Sequence, residues 1–184
     1  MNIQLAQNLQ REIKRSLDLF ESTGPEQSRA NAHEKALHLA QALARPREAI
    51  LRLSYLPSAL MAVKVAHDLN VFTLLAQATR PVPLTELAAS KAADPRLVEQ
   101  IMRTVVASGF AEEPLPCEYL PNAISREMTE RGPIGMMESI FLEFLPSIQK
   151  ASEYLRAINY RNPDDRMRAP LQSSYRIMPT FTPF

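Results

Sequence analysis

Glycine is scarce in this sequence, with four residues in a chain of 184. A phosphate-binding loop needs closely spaced glycines, because its backbone N–H groups must approach the phosphate closely. Gly24, Gly109, Gly132 and Gly135 fit neither the G-x-G-x-x-G nor the G-x-x-x-x-G-K-[ST] spacing. The chain therefore carries no recognisable nucleotide-binding loop.

Cysteine and histidine are scarce as well. Cys117 is the single cysteine, so it forms neither an internal disulfide nor a cysteine-based zinc site, and a reducing, cytoplasmic location is expected. His33 and His38 are five residues apart and do not share a helix face as an i, i+4 metal pair would. His67 has no recognisable nucleophile or orienting partner, which favours a core or helix-end role. No catalytic or metal-binding residue is predicted.

The chain has neither an excess of positive charge nor a long apolar run. It contains 21 basic and 20 acidic residues, so no global attraction to nucleic acid or acidic membranes is expected. No run of about 18 consecutive apolar residues occurs, so no transmembrane helix is expected. Hydrophobic residues make up 46% of the chain, which is enough for a folded core.

Residues 3–22 follow the pattern of an amphipathic helix, with apolar residues at three- and four-residue steps. Gly24 and Pro25 are expected to end this helix and to start a second one over residues 26–44. These two helices are predicted to form a long N-terminal arm. Pro46 is expected to interrupt the chain after the arm.

A short helix through Ile50 and Leu53 is expected next. From Pro57 to Leu75, apolar residues are denser than one helical stripe requires. This density predicts the buried centre of the domain, formed by two helices with a bend at Asn70, since asparagine tolerates the left-handed backbone conformation.

The stretch PVPLTELAASKAADPRLVEQIMRTVVASGF, residues 81–110, predicts two short helices joined by a tight polar turn. Thr85 is a plausible cap for the first helix, predicted to end at Ala92. For the second helix, Asp94 can cap the backbone amides, Pro95 fits the first helical position and the following glycine fits the end. Prolines then break the segment FAEEPLPCEYLPN into a small edge hairpin.

A helical pattern returns over residues 136–158, with a kink expected at Pro146. Residues 161–184 lack periodicity and are rich in proline, which predicts an extended tail. The predicted fold class is mainly α, with a winged-helix-like core, a long N-terminal helical arm and a small β-hairpin.

A winged helix often binds DNA, but the charges here do not favour that function. The second helix of the pair offers a mixed set of exposed residues, and the hairpin is acidic: Arg96, Glu99, Gln100 and Arg103; Glu112, Glu113 and Glu118. Phosphate contacts supply most of the affinity for non-specific DNA, so a reader of DNA normally shows a positive surface. Nucleic acid is not expected as a partner, and a DNA-binding regulator is a lesser alternative.

The order of these elements, together with three motifs, resembles the N-terminal dimerisation domain of class I S-adenosylmethionine-dependent O-methyltransferases, of the plant caffeate type and their fungal relatives. AHDLNVFTLLAQATRPVPLTELAASKAADPRLVEQIMRTVVASGFAEE resembles the helices of that domain, and YLPNAIS resembles the segment after its wing. NYRNPDDRMRAPLQSSY resembles the linker to the catalytic domain of fungal members. The resemblance divides the chain into an arm (1–44), a winged-helix dimerisation domain (45–160) and a linker (161–184).

In full-length members this domain forms a homodimer and helps to wall the substrate pocket, while the cofactor-binding domain and the catalytic histidine follow it. The resemblance implies a homodimer, or a heterodimer with a methyltransferase-like subunit, that serves secondary metabolism with a small aromatic or polyketide substrate. It implies S-adenosylmethionine for full-length relatives but no cofactor in this chain, which is expected to be truncated and unable to transfer methyl alone. The alternative is a fragment or partner subunit of an active O-methyltransferase or a methyltransferase-like cyclase.

The resemblance places the helix that starts at residue 136 near the substrate chamber. Met136, Met137, Phe141 and Phe144 are therefore predicted to contact substrate, because methionines beside aromatic rings suit an adaptable surface for flat molecules. Their helical spacing is also typical of plain core packing, which is the simpler alternative.

Overall fold

The structure, a computed structural model, describes residues 3–163 of the chain. Within these residues the chain is mainly helical with a small antiparallel sheet, which confirms the predicted mainly α class. The chain divides into two compact units, with the boundary after Ser58. The predicted linker lies outside the described residues from position 164 onward.

The elements of the described residues are as follows. The helices are α1 (Ile3–Thr23), α2 (Glu26–Leu43), α3 (Pro46–Asp68), α4 (Val71–Gln77), α5 (Leu84–Ala89), α6 (Pro95–Ala107), α7 (Ala123–Glu127), α8 (Arg131–Ser139) and α9 (Leu145–Ala157), with a π-helical segment (Ile140–Phe144) between the last two. The strands are β1 (Val82–Pro83), β2 (Glu112–Leu115) and β3 (Glu118–Leu120).

The first unit contains the predicted arm, a hairpin of α1 and α2. Gly24, with a φ of 68°, ends α1, and its N–H donates a 2.7 Å hydrogen bond to the Phe20 carbonyl. Lys35 of α2 forms a 2.5 Å ion pair with Glu12 of α1, at nearly equal distances along the chain from the turn. Small and apolar side chains are buried in this unit: Ala6, Leu9, Ser28 and Ala32. The two predicted arm helices are confirmed.

Helix α3 corrects the sequence-based expectation of a short helix followed by a separate one. It runs without a break from Pro46 to Asp68, with Pro57 in its interior. A proline inside a helix removes one N–H donor and is costly, which is why a boundary was expected there. Residue 57 is exposed, however, so water can satisfy the carbonyl of Leu53 that loses its helical donor.

The core of the second unit forms where the dense apolar segment was expected, but only from Ala62 onward. The last turns of α3 and helices α4, α5 and α6 supply most of it: Ala62, Val63, Ala66, Val71, Phe72, Leu75, Leu87, Ala88, Val98, Ile101, Met102 and Val105 are buried. Asn70 adopts the left-handed conformation with a φ of 61° between α3 and α4, which confirms the predicted bend. Met61, assigned to the same centre, is exposed.

The predicted pair of helices in residues 81–110 is present. Helix α5 begins after Pro83, so the prediction that Thr85 caps it is wrong: the chain enters the helix directly from β1. The cap of α6 is confirmed, since the Asp94 carboxylate accepts a 2.8 Å hydrogen bond from the Arg96 N–H.

The predicted hairpin is present as β2 and β3, which pair antiparallel with a register irregularity between Glu112 and Leu115. A third strand was not predicted. β1 pairs antiparallel with β3, with Val82 opposite Tyr119, to give the strand order β1-β3-β2. With two residues, β1 is too short to show an alternating pattern. In the chain, β1 comes directly before the helix pair α5–α6, and β2 and β3 come after it.

The helical pattern expected over residues 136–158 is observed, although the helix already begins at Arg131. A π-helical segment ends immediately before α9, where Pro146 occupies the first turn. The expected distortion at this proline therefore takes the form of a wider helical turn ahead of it. Such turns reassign which side chains share a helix face.

Candidate functional site

The four residues predicted to contact substrate separate into core and surface positions. Met137 is buried in the core of the second unit, and Phe141 packs partly buried against that core. Met136 is 64% exposed and Phe144 50% exposed. The simpler alternative, core packing, therefore describes Met137, while Met136 and Phe144 are available to a ligand or to another protein surface.

Phe141 lies beside a lysine that the sequence patterns did not single out. The Lys64 ammonium forms an ion pair with Asp68 one turn later on α3. It also lies 5.9 Å from the centre of the Phe141 ring, within the range of a cation–π contact. The i, i+4 spacing of this lysine and aspartate predicts their pairing, but the aromatic contact follows only from the tertiary fold.

Met136 and Phe144 belong to a larger set of exposed apolar side chains on α8, the π-helical segment and α9. The other members of this set are Leu142 and Ile148. Exposed side chains of this kind offer apolar contact area to flat groups, and none of the four is titratable.

A second apolar feature lies in the first unit. A groove of about 740 Å³ runs between the C-terminal half of α2 and the N-terminal half of α3. Its apolar lining combines leucines with small residues: Leu37, Ala40, Leu43, Ala44, Ala49, Leu53 and Leu56. Three polar side chains also line it, those of Gln41, Glu48 and Arg52. None of the four predicted substrate residues lines this groove.

A smaller cavity of about 230 Å³ lies between α4 and α5 in the second unit. Arg80 and Glu86 at its edge form a 2.8 Å ion pair with each other. Since each charge already has its partner, this cavity offers no free charged group to a ligand.

The outer face of α6 carries opposite charges that neutralise one another. Arg103 forms an ion pair with Glu99 on the preceding turn. In the hairpin, the Glu113 carboxylate accepts a 2.9 Å hydrogen bond from the Cys117 N–H. The mixed charge expected from the sequence is thus present on the face that would have to approach a phosphate backbone.

Other groups considered from the sequence occupy ordinary structural positions. His33 and His38 are exposed on α2, as expected for surface histidines. His67 is half-buried near the end of α3, where its carbonyl accepts a hydrogen bond from the Asn70 N–H. Residues 3–163 contain no group of three or more histidine, cysteine, aspartate or glutamate side chains that would hold a metal ion.

The glycines do not form a cofactor loop. A loop that cradles a cofactor of this kind follows a strand and opens a helix. Gly132 and Gly135 lie inside α8, Gly24 joins α1 to α2, and Gly109 ends α6. The glycines present therefore do not fit the binding of S-adenosylmethionine by such a loop.

The described residues form a mainly helical domain with a small antiparallel sheet and with exposed apolar side chains in both of its units. Residues 51–131 match the family model of the O-methyltransferase dimerisation domain. This part of the chain is thus similar to that domain, in agreement with the resemblance.

Curated relatives are fungal O-methyltransferases. Demethylsterigmatocystin 6-O-methyltransferase of Aspergillus flavus is 30% identical over 115 residues, which cover 62% of this chain and 30% of that enzyme. The O-methyltransferase penC of Penicillium thymicola is 26% identical over 153 residues, which cover 81% of this chain and 38% of the relative. The chain thus spans about a third of the length of these relatives.

Solved structures share the fold at low sequence identity. A pericyclic reaction enzyme gives a TM-score of 0.81 at 19% identity, covering 89% of this chain and 42% of that one. LepI in complex with SAM gives 0.80 at 19% identity over 96% and 44% of the two chains. OxaC in complex with sinefungin and meleagrin gives 0.79 at 16% identity over 93% and 43%.

By length and composition, α3 could also cross a membrane. The sequence contains no long uninterrupted apolar run here, because Arg52 and Lys64 interrupt the apolar residues in the middle of the helix. In the described structure only 17% of the relevant part of this helix is buried.

Proposed function

We propose that this chain is the dimerisation and substrate-pocket part of an O-methyltransferase-like protein of fungal secondary metabolism. The observation that carries the proposal is the match of residues 51–131 to the O-methyltransferase dimerisation domain. The fungal O-methyltransferases among its relatives support the metabolic assignment. The helix pair, the hairpin and the short third strand support a winged-helix core. The charges on this core are mixed rather than basic, which favours association with protein over binding to DNA.

The first consequence of the proposal is dimerisation. Light scattering on the purified chain, coupled to size-exclusion chromatography, is expected to give about twice the mass of one chain. The exposed apolar side chains of the two units are the physical reason, since such surfaces favour burial against a partner. A folded chain that stays monomeric across the micromolar range would contradict this part of the proposal.

The second consequence is that this chain does not transfer methyl groups alone. None of its glycines follows a strand and opens a helix, as a cofactor loop requires. Isothermal titration of S-adenosylmethionine into the chain is expected to give no binding heat. Saturable binding at micromolar concentration would refute the assignment and favour an autonomous enzyme.

The third consequence concerns the substrate. We place a flat aromatic or polyketide molecule against Met136 and Phe144, since both side chains are exposed and the thioether adapts to aromatic faces. With ¹³C-methyl-labelled methionine, addition of a planar polyketide is expected to shift the Met136 resonance. The matched control is Met61, exposed on α3. Unchanged spectra up to the solubility limit of the ligand would exclude this contact.

A methyltransferase-like cyclase is the second candidate for the parent protein. It is favoured by the shared fold with a pericyclic reaction enzyme, whose match covers 89% of this chain. The two candidates predict the same dimer but different chemistry in the protein that contains the domain. Methyl transfer from labelled S-adenosylmethionine to an acceptor by that full protein would separate them.

A further inference from the structure

The N-terminal half of α3 is unusually exposed for its composition. Every residue from Arg45 to Ser58 is exposed in the described structure. Five large side chains in this half are between 44% and 70% exposed: Ile50, Leu51, Leu53, Tyr55 and Leu56. In the second unit, side chains of similar size such as Phe72, Leu75 and Leu87 are buried in the core.

These five side chains do not form one stripe. At about 100° of rotation per residue, they are distributed around the whole circumference of the helix. A surface helix normally has one apolar side, whereas a helix that is apolar on all sides is enclosed by neighbours. A single neighbour along one side would therefore leave part of this helix exposed.

The groove between α2 and α3 offers a complementary surface for a helix. Ala40, Ala44 and Ala49 line it, and small side chains allow close approach of a partner backbone. Glu48 and Arg52, one turn apart on α3, line the same groove. The Glu48 carboxylate accepts a 3.0 Å hydrogen bond from the Arg45 N–H and forms a long, exposed ion pair of 3.9 Å with the Arg45 side chain. Arg52 forms no ion pair within residues 3–163.

We propose that the α3 helices of two copies of this chain pack against each other antiparallel through the side that lines the groove. The helices cross level with Ile50 along their axes, so that each enters the groove of the other. In a two-fold symmetric interface, residue i of one copy meets residue j of the other, and residue j meets residue i. Because Glu48 and Arg52 lie equally far from Ile50, each glutamate then faces the arginine of the second copy. This inference rests on the dimerisation proposed above and specifies its surface.

Two facts favour a second copy over another occupant. The match to the dimerisation domain begins at residue 51, inside the exposed half of α3. The charges of the surface are also self-complementary, since one acidic and one basic side chain exchange places under the two-fold rotation. A partner of one charge sign would leave either Glu48 or Arg52 opposite a like charge, which is unfavourable.

The test uses charge reversal and mixing. Glu48→Arg places two arginines opposite each other in a homodimer, and Arg52→Glu places two glutamates opposite each other. Each variant alone is expected to dissociate at least about tenfold more readily than the wild type in analytical ultracentrifugation at low salt. An equimolar mixture of the two is expected to form a heterodimer of near wild-type affinity. Mixing does not change how either variant folds. Recovery of dimer affinity in the mixture therefore shows that the two charges face each other, and not that a folding defect was repaired.

The apolar part of the interface has its own variant. Leu53→Asp is expected to yield a folded monomer by light scattering and circular dichroism. Leu115→Asp is the matched control, because Leu115 is similarly exposed but lies on β2. Dimers that persist in Leu53→Asp and in both charge variants would overturn this surface while leaving dimerisation intact. A wild-type monomer in solution that floats with phosphatidylcholine vesicles would instead assign α3 to a membrane and overturn both proposals.

Discussion

The ends of α5 and α6 allow a test of the fold with a single methyl group. Ala92, which follows α5, lies in the left-handed conformation with a φ of 50°. The Ala92 N–H donates a hydrogen bond to the Ala89 carbonyl, and the Ala93 N–H donates one to the Ala88 carbonyl. These two bonds define a Schellman motif, in which glycine is the preferred residue. The end of α6 has the same pair of bonds, but there the left-handed residue is Gly109, with a φ of 79°.

The magnitude follows from two opposing terms. An alanine in the left-handed region is destabilised by about 1–2 kcal/mol relative to the right-handed region. Glycine removes that strain but loses about 0.4–1 kcal/mol through the larger entropy of the unfolded chain. Ala92→Gly is therefore expected to stabilise the protein by roughly 0.5–1 kcal/mol, and Gly109→Ala to destabilise it by a similar amount.

Gly109→Ala tests the backbone conformation alone and not steric overlap, because a Cβ atom added there would meet nothing within 4 Å. Urea unfolding followed by circular dichroism measures both variants. Ala107→Gly in the last turn of α6 is the control and should destabilise by about 1 kcal/mol, since its backbone is helical. If Ala92→Gly lowers the unfolding midpoint as Ala107→Gly does, the left-handed assignment of residue 92 is wrong.

Three further predictions concern polar side chains. The Tyr119 hydroxyl is buried without a hydrogen-bond partner in the described residues, so Tyr119→Phe should stabilise by about 1 kcal/mol in urea unfolding. Burial raises the Tyr119 pKa from 10.0 to about 12, so wild-type stability should fall more steeply than that of the variant between pH 10 and 12. The hydrogen bond and charge of Lys35 lower the pKa of Glu12; the small stability that Glu12→Gln removes should be present above pH 4.5 and lost on acidification. The buried Ser125 hydroxyl donates a 2.5 Å hydrogen bond to the Phe110 carbonyl, and Ser125→Ala should cost about 1–3 kcal/mol by the same urea assay.

The boundaries that the sequence predicts well are those encoded by a few neighbouring residues. Asp94 and Pro95 mark the start of α6, and Gly109 marks its end, because capping depends on local backbone geometry. The start of α5 was predicted at Thr85, but the helix begins one residue earlier, at Leu84. Thr85 can cap a helix, yet the residues before Leu84 are fixed by the pairing of β1 with β3. A two-residue strand depends on its partner in the sheet and leaves no periodic pattern of its own.

The candidate substrate site was less predictable for a related reason. Met136 and Met137 are adjacent and chemically identical, yet one is exposed and the other is buried. Periodicity can group the residues of a regular helix into faces, but the π-helical segment after residue 139 changes that grouping. The exposed Phe144 and the partly buried Phe141 both lie in this segment, for which the sequence carries no separate pattern.

Helix α3 shows what apolar density does and does not predict. The same density continues from Ile50 to Val65, but burial within the described chain begins only at Ala62. Such density favours a helix that is covered, because apolar surface is driven out of water whichever chain covers it. It does not predict which atoms cover it, since an interface between two copies obeys the same energetics as a core. In the proposed dimer, the second copy covers the first half of α3, while the chain itself covers the residues from Ala62 onward. The sequence predicted a buried centre from Pro57 onward, whereas residues 57, 58 and 61 are exposed. The start of the core therefore depends on tertiary packing, which apolar density alone does not encode.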